Sequence, residues 1–289
     1  YILITFNHFN IKLMSKNKIG VIGNGFVGEA IAFTFSPIDE ICIYDIDPLK
    51  SNCSINQVHD CDYVFVCVPT PMNKNGSQDF GYIEDVFSNA SEKPIYIIKS
   101  TIIPGSTELL LNNYRNLKII FSPEFLTERR AKLDMLTQSR IILGGNKIYV
   151  DDVEKLFLKR FKNKNIIKTD SKTAELIKYM NNTFFATKVS IMNEFKLVCD
   201  AIGANWVDAL NGFSSDGRIG DSHLNVPGHD GKLGYGGTCF PKDVSSFLKF
   251  AEKLNIKLNS IKGGWITNLE VRSEKDWEKK QGRSVSFKK

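Results

Sequence analysis

A ten-residue segment near the C-terminal end combines glycines with three side chains that can do chemistry. Residues 234–243 read GYGGTCFPKD and contain Cys239, Lys242 and Asp243. Glycines let a backbone approach a ligand closely, and a thiol is a strong nucleophile once it is ionised. The lysine favours the thiolate, and the carboxylate could position a proton or a water. The segment alone fits two interpretations, a nucleophilic thiol or a buried structural cysteine beside a glycine loop.

A second glycine cluster follows the apolar stretch 18–22 and precedes a helical stretch, 29–35. This GxGxxG pattern between a strand and a helix is typical of dinucleotide-binding loops. Its first glycine makes the turn, the second admits the pyrophosphate, and the third lets the helix pack closely on the strand. The helix N-terminus also attracts phosphates. The residues that we expect to bind the cofactor here are Gly23, Gly25, Phe26, Val27 and Gly28.

An acidic residue ends the second predicted strand, 40–44. Asp45 stands about 20 residues after the glycines, where a carboxylate can bind the adenosine ribose hydroxyls. Such an acid repels a 2′-phosphate, so the sequence favours NAD over NADP. The alternative for Asp45 is a turn residue at a strand end. Lys50 either assists the cofactor or is a solvated lysine.

Further apolar runs at 63–68, 95–99 and 118–121 are typical of parallel strands that are covered on both faces. The sequence therefore predicts an α/β fold for residues 18–170, with a Rossmann-type, doubly wound, mainly parallel sheet. Ligands bind at the carboxyl ends of such strands, which makes Thr70 and Thr101 candidates for cofactor contact.

Two glutamates follow the last of these strands. Glu124 and Glu128 are four residues apart and would share one face of a helix that began there. The alternative is that they are acids of an N-terminal helical turn.

A long helix is predicted from 172 to 201, because this stretch has no proline or glycine and its apolar residues recur at helical spacing. Asp170 or Ser171 can cap its start and Gly203 its end. We expect it to connect the first domain to an all-helical central domain, residues 171–262, and to pair subunits. Lys178 and Asn182 share one face and could donate to a developing oxyanion, although a surface lysine and asparagine would show the same spacing.

Composition excludes several classes of function. The net charge of +6 over 289 residues suits anionic ligands but is too weak and dispersed for nucleic acid. Six cysteines without a CxxC pair, with only four histidines, argue against a zinc site and predict reduced thiols in a cytoplasmic protein. The sequence contains no stretch suited to crossing a membrane.

Both ends are expected to lie outside the core. Residues 1–17 are predicted to be a leader, with Met14 as the true start. The stretch 271–289 carries seven Lys/Arg against three Asp/Glu and is predicted to be a solvated end.

Together these segments resemble the nucleotide-sugar 6-dehydrogenase family from about Lys18 to Ala251. Besides the two glycine segments, the resemblance rests on Val-Pro-Thr-Pro at 68–71, Lys-Ser-Thr at 99–101 and Ser-Pro-Glu-Phe-Leu-x-Glu at 122–128. Lys-x-x-x-Asn at 178–182 and Arg-Ile-Gly at 218–220 follow in the order that the family shows.

The resemblance implies oxidation of a sugar C6 alcohol to a carboxylate with two NAD and no metal. It implies that Cys239 attacks the C6 aldehyde, while Lys178 and Asn182 stabilise the oxyanion. Asp243 would orient the catalytic water and hold Lys178, and Thr101 and Glu128 would complete the proton network. Thr101, Glu128 and Lys242 would also contact the cofactor. The residues that it implies for substrate binding are Glu124, Phe125, Leu126, Lys178, Asn182, Arg218, Tyr235 and Gly236.

Three functions remain open at this stage. The first is a nucleotide-sugar dehydrogenase, with UDP-glucose as the expected substrate and GDP-mannose or a UDP-N-acetylhexosamine as alternatives. The second is a β-hydroxyacid dehydrogenase, which shares the glycine-rich domain, the long helix and a lysine–asparagine pair but needs no thiol. The third is an inactive NAD-binding homologue, because members of the family usually carry a third domain and residues 263–289 are expected to form only a tail in its place.

Overall fold

The protein, described here from a computed structural model that covers residues 16–287, is built on one seven-stranded sheet. Its strands lie in the order β2-β1-β3-β4-β5-β6-β7, and only the β5–β6 pair is antiparallel. The strands are β1 (Lys18–Ile22), β2 (Glu40–Tyr44), β3 (Tyr63–Val66), β4 (Ile95–Ile98), β5 (Lys118–Phe121), β6 (Arg140–Gly145) and β7 (Asn165–Thr169).

Ten helices accompany the strands within the described residues. They are α1 (Phe26–Phe35), α2 (Ile55–His59), α3 (Gly81–Ser88), α4 (Ser106–Asn113), α5 (Ala131–Thr137), α6 (Lys147–Arg160), α7 (Ser171–Ala201), α8 (Trp206–Ser214), α9 (Phe240–Lys253) and α10 (Asn259–Val271). The predicted Rossmann-type α/β fold with a long following helix is confirmed.

Apolar side chains cover both faces of the sheet. On one face α1 and α6 pack on the strands, with the rings of Phe35, Phe65 and Phe157 in mutual contact. On the other face, α2, α3 and α4 cover β3 and β4. Burial on both sides explains why these strands read as continuous apolar runs. β6 and β7 were not predicted, since β6 ends in two glycines and β7 is a largely exposed edge strand.

The long helix α7 runs for 31 residues, about 46 Å, and confirms the prediction closely. Asp170 caps it by accepting the Thr173 N–H at 2.8 Å, and Gly203 follows its end with φ +71°. It packs against α9 and α10, and α8 follows its C-terminal end.

The buried face of α7 is polar. Glu175, Lys178, Asn182 and Asn193 are buried, whereas the large apolar side chains that gave the helix its periodicity are exposed to about half. The exposed set is Leu176, Met180, Phe184, Ile191, Phe195 and Val198, whereas Ile177 of the same periodic set is partly buried against the sheet domain. The helical period of the apolar residues was therefore correctly recognised. However, the stripe formed by the exposed set is not the face of α7 that packs most closely within this chain.

Glu175 joins α7 to the sheet domain through the start of α4. Its carboxylate accepts the Gly105 N–H at 2.5 Å, the Thr107 N–H at 2.8 Å and the Thr107 hydroxyl at 2.6 Å. The side chain is fully buried, and burial raises its pKa to about 7 against the opposing effect of these hydrogen bonds. The contact satisfies two N–H groups at the helix N-terminus, that of Thr107 buried and that of Gly105 partly buried.

The prediction of a solvated C-terminal end is wrong. The expected boundary at 262/263 falls inside α10, and beyond that helix Arg272, Trp277 and Ser284 are buried. The Arg272 guanidinium pairs with Asp230 at 2.7 Å and Asp276 at 3.0 Å. A count of charges along the sequence could not predict these ion pairs, because Asp230 lies 42 residues from Arg272 in the sequence.

The prediction of six reduced thiols is also wrong, since Cys42 and Cys53 form a disulfide between β2 and the segment that follows it. The other four cysteines have free thiols. The predicted leader and start at Met14 lie outside the described residues, apart from residues 16 and 17. Across residues 16–287, no helix has the length and apolarity to span a membrane, and no cluster of candidate metal ligands occurs.

Replacing Glu175 with leucine is expected to lower the free energy of unfolding by about 2–4 kcal/mol, because the buried N–H and hydroxyl of Thr107 and the partly buried N–H of Gly105 lose their acceptor. Urea denaturation measures the change. Glu108→Gln is the control, since it breaks only the exposed Glu108–Lys172 pair and should cost less than about 1 kcal/mol. Equal stability of the two variants would contradict the coupling role of Glu175.

Candidate active site

A cleft opens at the carboxyl ends of β1, β3 and β4, beside the point where the strand order reverses. Gly25 and Val27 of the glycine loop line one side of it, Thr70 and Thr101 line another, and Cys239 lies within it. The topology brings these segments together because parallel strands end at the same edge of the sheet.

The three glycines have the backbone geometry that their spacing predicts. Gly23 turns the chain with φ +91°, and a Cβ there would lie 2.8 Å from the Cys67 carbonyl oxygen. A Cβ on Gly28 would lie 2.0 Å from the Gly23 carbonyl oxygen, so helix and strand pack too closely for any side chain. Gly25 has open space where its Cβ would be, which leaves the N-terminus of α1 accessible to a phosphate.

Asp45 lies at the end of β2 beside this loop. Its carboxylate accepts the backbone N–H of Asn24 at 2.6 Å and of Asp47 at 2.9 Å. Lys50 pairs loosely with Asp47 at 4.0 Å, and its carbonyl accepts the Asn24 amide. Each carboxylate oxygen can accept a second bond, so the arrangement fits a ribose hydroxyl at Asp45.

Thr70 and Thr101 meet across the loops after β3 and β4. The Thr70 hydroxyl donates to the Thr101 carbonyl at 2.7 Å, and Gln78 donates to the same oxygen at 2.8 Å. Both threonines are buried and line the cleft. The hydrogen bond between Thr70 and Thr101 fixes the part of the cleft lining that lies between the glycine loop and Cys239.

Cys239 is partly buried at the N-terminus of α9. Burial raises the pKa of its thiol above the ordinary value. The ammonium groups of Lys242 and Lys178 oppose that rise, while the carboxylates of Asp243 and Glu124 add to it. The thiol is therefore mainly protonated at neutral pH. The nearby cations lower the free energy needed to ionise the thiol, but they do not cancel the effect of burial.

Lys178 lies behind Cys239 in a nearly dry site. Its ammonium donates to the carbonyl of Glu124 at 2.5 Å and to the Glu124 carboxylate at 3.0 Å, with both side chains at least nine-tenths buried. Burial alone would lower the pKa of Lys178, but the carboxylates of Glu124 and Asp243 oppose that effect, and the pKa lies above its usual value. Lys178 thus stays cationic.

Asn182, one turn along α7, belongs to a second buried chain of contacts. Its amide donates to Asp243 at 2.6 Å, and the other oxygen of Asp243 accepts Lys242 at 2.5 Å. The expectation that Asp243 holds Lys178 is therefore corrected, because Glu124 binds Lys178 and Asp243 binds Asn182 and Lys242. Two carboxylates each neutralise one buried lysine.

Glu124 and Glu128 do not share a helix face. Glu124 lies in an extended segment and is buried, whereas Glu128 begins a short 3-10 helix and is exposed. Glu128 accepts Arg283 at 2.8 Å and the Thr238 hydroxyl at 3.4 Å, next to Cys239. The two glutamates thus face different parts of the site.

The other residues implied for substrate binding lie at different distances from the cleft. Phe125 lies under the Lys178 ammonium at 5.4 Å, and the Leu126 N–H donates to Glu124 at 2.6 Å. Tyr235 is buried in the segment 228–239 that precedes α9, called the catalytic loop below because it carries the candidate nucleophile Cys239. Two hydrogen bonds join the Tyr235 backbone to the Asn268 side chain.

Gly236 and Arg218 complete that set. A Cβ on Gly236 would lie 2.0 Å from a carboxylate oxygen of Asp276, so this glycine is required for close packing. The Arg218 side chain is 89% exposed and pairs with Asp216, so the structure does not bring it into the cleft of its own chain.

Lys99 was assigned no role from sequence. It follows β4, is buried at the cleft, and donates to Ser122 at 3.2 Å and to the Pro123 carbonyl at 3.1 Å. Burial lowers its pKa to about 8, against the opposing charge of Glu124. The sequence did contain a signal for this residue, because Lys99 is a lysine at the end of an otherwise apolar strand.

The pH dependence of thiol alkylation tests the environment of Cys239. We expect iodoacetamide labelling of Cys239 to rise about tenfold per pH unit from pH 7 to 9 without a plateau, since burial holds the pKa of this thiol above its ordinary value of 9.0. Peptide mass spectrometry gives the rate, with Cys239→Ser as the control. Lys242→Met should slow labelling further, and a plateau below pH 8 would contradict a raised pKa.

Comparison with known proteins gives the same assignment for most of the chain. Residues 49–162 match the NAD binding domain of the UDP-glucose/GDP-mannose dehydrogenase family, and residues 172–268 match its central domain. A solved UDP-glucose dehydrogenase from Pyrobaculum islandicum superposes with a TM-score of 0.78 at 25% identity, covering 89% of this chain and 68% of that one.

Curated UDP-glucose 6-dehydrogenases are also similar in sequence. The Rickettsia conorii protein is 33% identical over 225 residues, 75% of this chain and 51% of that protein, so the chain spans about half its length. The Campylobacter jejuni protein is 33% identical over 294 residues, which cover 89% of this chain and 73% of that protein. The matches to both domains and to these relatives show that the chain belongs to the UDP-glucose/GDP-mannose dehydrogenase family.

Proposed function

We propose that the chain oxidises the C6 alcohol of a nucleotide sugar to a carboxylate with NAD, through a covalent intermediate on Cys239. The observation that carries the proposal is the placement of Cys239 in one cleft with the glycine loop. The ammonium of Lys178 lies near enough to act on the thiol, and Asn182 binds Asp243, whose carboxylate also acts on it. A thiol beside a dinucleotide site can hold an aldehyde product for a second oxidation.

The residues present fit NAD. The open side of Gly25 and the N-terminus of α1 would hold the pyrophosphate, and Asp45 would hold the adenosine ribose. Thr70, Thr101 and Lys242 line the remainder of the cleft. When bound, NAD supplies the acceptor for each hydride that leaves C6.

Cys239 acts after the first oxidation. Its thiolate attacks the C6 aldehyde and forms a C–S bond as the carbonyl π electrons move onto oxygen. Two of the three Lys178 N–H groups and one Asn182 N–H engage Glu124 and Asp243. Each side chain thus has one further donor for the new oxyanion. Loss of the second hydride leaves a thioester.

Water completes the reaction by adding to the thioester and releasing the Cys239 thiolate with the C6 carboxylate. The Asp243 carboxylate accepts hydrogen bonds from Asn182 and Lys242, and this fixed position suits it to orient that water. Thr101 and Glu128 border the same region and would relay the two protons that are released as the thiolate and the carboxylate form.

UDP-glucose is the substrate that we propose, because the curated relatives reported above are UDP-glucose 6-dehydrogenases. The family also includes GDP-mannose dehydrogenases, and a UDP-N-acetylhexosamine has the same C6 alcohol. Chemistry at C6 does not distinguish these sugars, so the choice depends on contacts with the nucleotide and with C2.

Purified protein with NAD and a panel of UDP- and GDP-sugars tests the proposal. We expect two NADH per sugar, followed by absorbance at 340 nm, and a loss of at least about 10³-fold in turnover for Cys239→Ala, since no thioester can form. Cys199→Ala is the matched control, because that thiol lies far along α7 and its loss should leave turnover unchanged.

Other results would favour the remaining candidates. One NADH per molecule of a β-hydroxyacid, without dependence on Cys239, would indicate a single-step hydroxyacid dehydrogenase. NAD binding with no turnover of any sugar would indicate an inactive homologue.

We also propose that two copies of the chain pair through α7. Met180, Phe184 and Val198 are 58%, 65% and 60% exposed on one side of this helix, and Ile202 continues the stripe at 73%. An apolar stripe of this length is unusual on a protein surface and is self-complementary about a two-fold axis. A second copy is therefore the partner that fits it.

Light scattering tests this pairing. The unaltered protein is expected at twice the chain mass, and Phe184→Asp combined with Phe195→Asp at the single mass, because two buried carboxylates would oppose association. Lys162→Asp, on an exposed site outside α7, should remain dimeric. A monomeric unaltered protein at micromolar concentration would contradict the proposal.

A further inference from the structure

We propose that Arg283, carried by the C-terminal segment 272–287, binds the diphosphate bridge of the dinucleotide. The proposal rests on the NAD site proposed above and adds to it a residue outside both matched domains. Arg283 lines the same cleft as Gly25 and Cys239, although it lies 258 residues from the first of these in sequence.

The first half of the segment is fixed to the catalytic loop. Asp276 accepts the Gly237 N–H at 3.0 Å, two residues before Cys239. Arg272 is buried and binds Asp230 and the Leu233 carbonyl of the same loop. Trp277 is 2% exposed, and its ring packs at 5.8 Å from that of Trp265 of α10, tilted by 48°. The segment therefore has a defined position on the catalytic side of the cleft.

The second half is fixed to the sheet domain. The Met72 N–H donates to the Ser284 carbonyl at 2.8 Å, and the Ser286 N–H donates to the Met72 carbonyl at 2.8 Å. Ser286 also donates to Asp79 at 2.5 Å. Arg283 lies directly before these contacts, after Gly282 with φ +74°. The guanidinium is thus carried by a segment that is anchored on both sides of the cleft.

The present partner of Arg283 is easily exchanged. Its guanidinium donates to Glu128 at 2.8 Å, and both side chains are about half exposed, at 50% and 46%. Such a pair contributes little to stability, so a diphosphate can replace the carboxylate without a large loss. A planar guanidinium also binds phosphate oxygens in a bidentate way that a lysine cannot copy.

The other cations at the cleft already have buried partners. Lys242 pairs with Asp243, and Lys99 donates to Ser122 and to a carbonyl. The N-terminus of α1 provides positive potential on the glycine-loop side, and Arg283 provides it from the opposite domain. A diphosphate beside Gly25 would therefore be held between a helix N-terminus and a guanidinium.

Calorimetric titration with ADP-ribose, which has the diphosphate but no nicotinamide, tests the proposal without turnover. For Arg283→Gln we expect the Kd to rise roughly 10- to 100-fold, as for loss of a charged hydrogen bond, and the salt dependence of binding to become weaker. Adenosine, measured by competition, should bind the variant within about twofold of the unaltered protein. Arg283→Lys should recover part of the affinity.

Arg129→Gln is the matched control, since it removes the same charge beside Glu128 from an exposed side chain that does not line the cleft. Its Kd for ADP-ribose should stay within about twofold. Unchanged ADP-ribose binding by Arg283→Gln would overturn the proposal, and so would an equal loss for adenosine, which would indicate a structural clamp only. No binding of ADP-ribose by the unaltered protein would instead contradict the NAD site itself.

Discussion

The buried polar face of α7 is the constraint on which the site depends. Over two turns, Glu175 binds the start of α4, Lys178 binds Glu124 after β5, and Asn182 binds Asp243 in α9. Each contact satisfies groups that water does not reach, so each would be costly to leave unmade. One helix thereby fixes the sheet domain relative to the helix that carries Cys239, and the cleft between them takes its shape from these bonds.

Burial and charge act against each other throughout the cleft. Burial raises the pKa of the Cys239 thiol and lowers that of Lys99, while opposite charges nearby moderate both shifts. Two lysines and two carboxylates close to the thiol form separate pairs rather than one network. This arrangement keeps Lys178 cationic without requiring an ionised thiol in the resting protein, so ionisation can accompany the reaction with an aldehyde.

The glycine loops and the C-terminal segment complete the cleft by close packing. Gly28 permits α1 to approach β1, and Gly236 permits the catalytic loop to approach Asp276 and Arg272. The segment 272–287 then spans from that loop to Met72 in the sheet domain. Trp277 and Arg272 of this segment are buried, and Arg272 forms ion pairs inside the fold. A count of lysines and arginines along the chain could not reveal these contacts.

Sequence alone determined what is local: the strand–glycine–helix unit at β1, Asp45 at the end of β2, the length and caps of α7, and the residue types of the site. These follow from periodicity and short-range backbone requirements. Only the tertiary structure decided which charges pair, since Lys178–Glu124 and Arg283–Glu128 join residues 54 and 155 positions apart. It also decided that the apolar stripe of α7 faces outward and that Cys42 meets Cys53, because contacts between elements depend on how whole helices and strands pack.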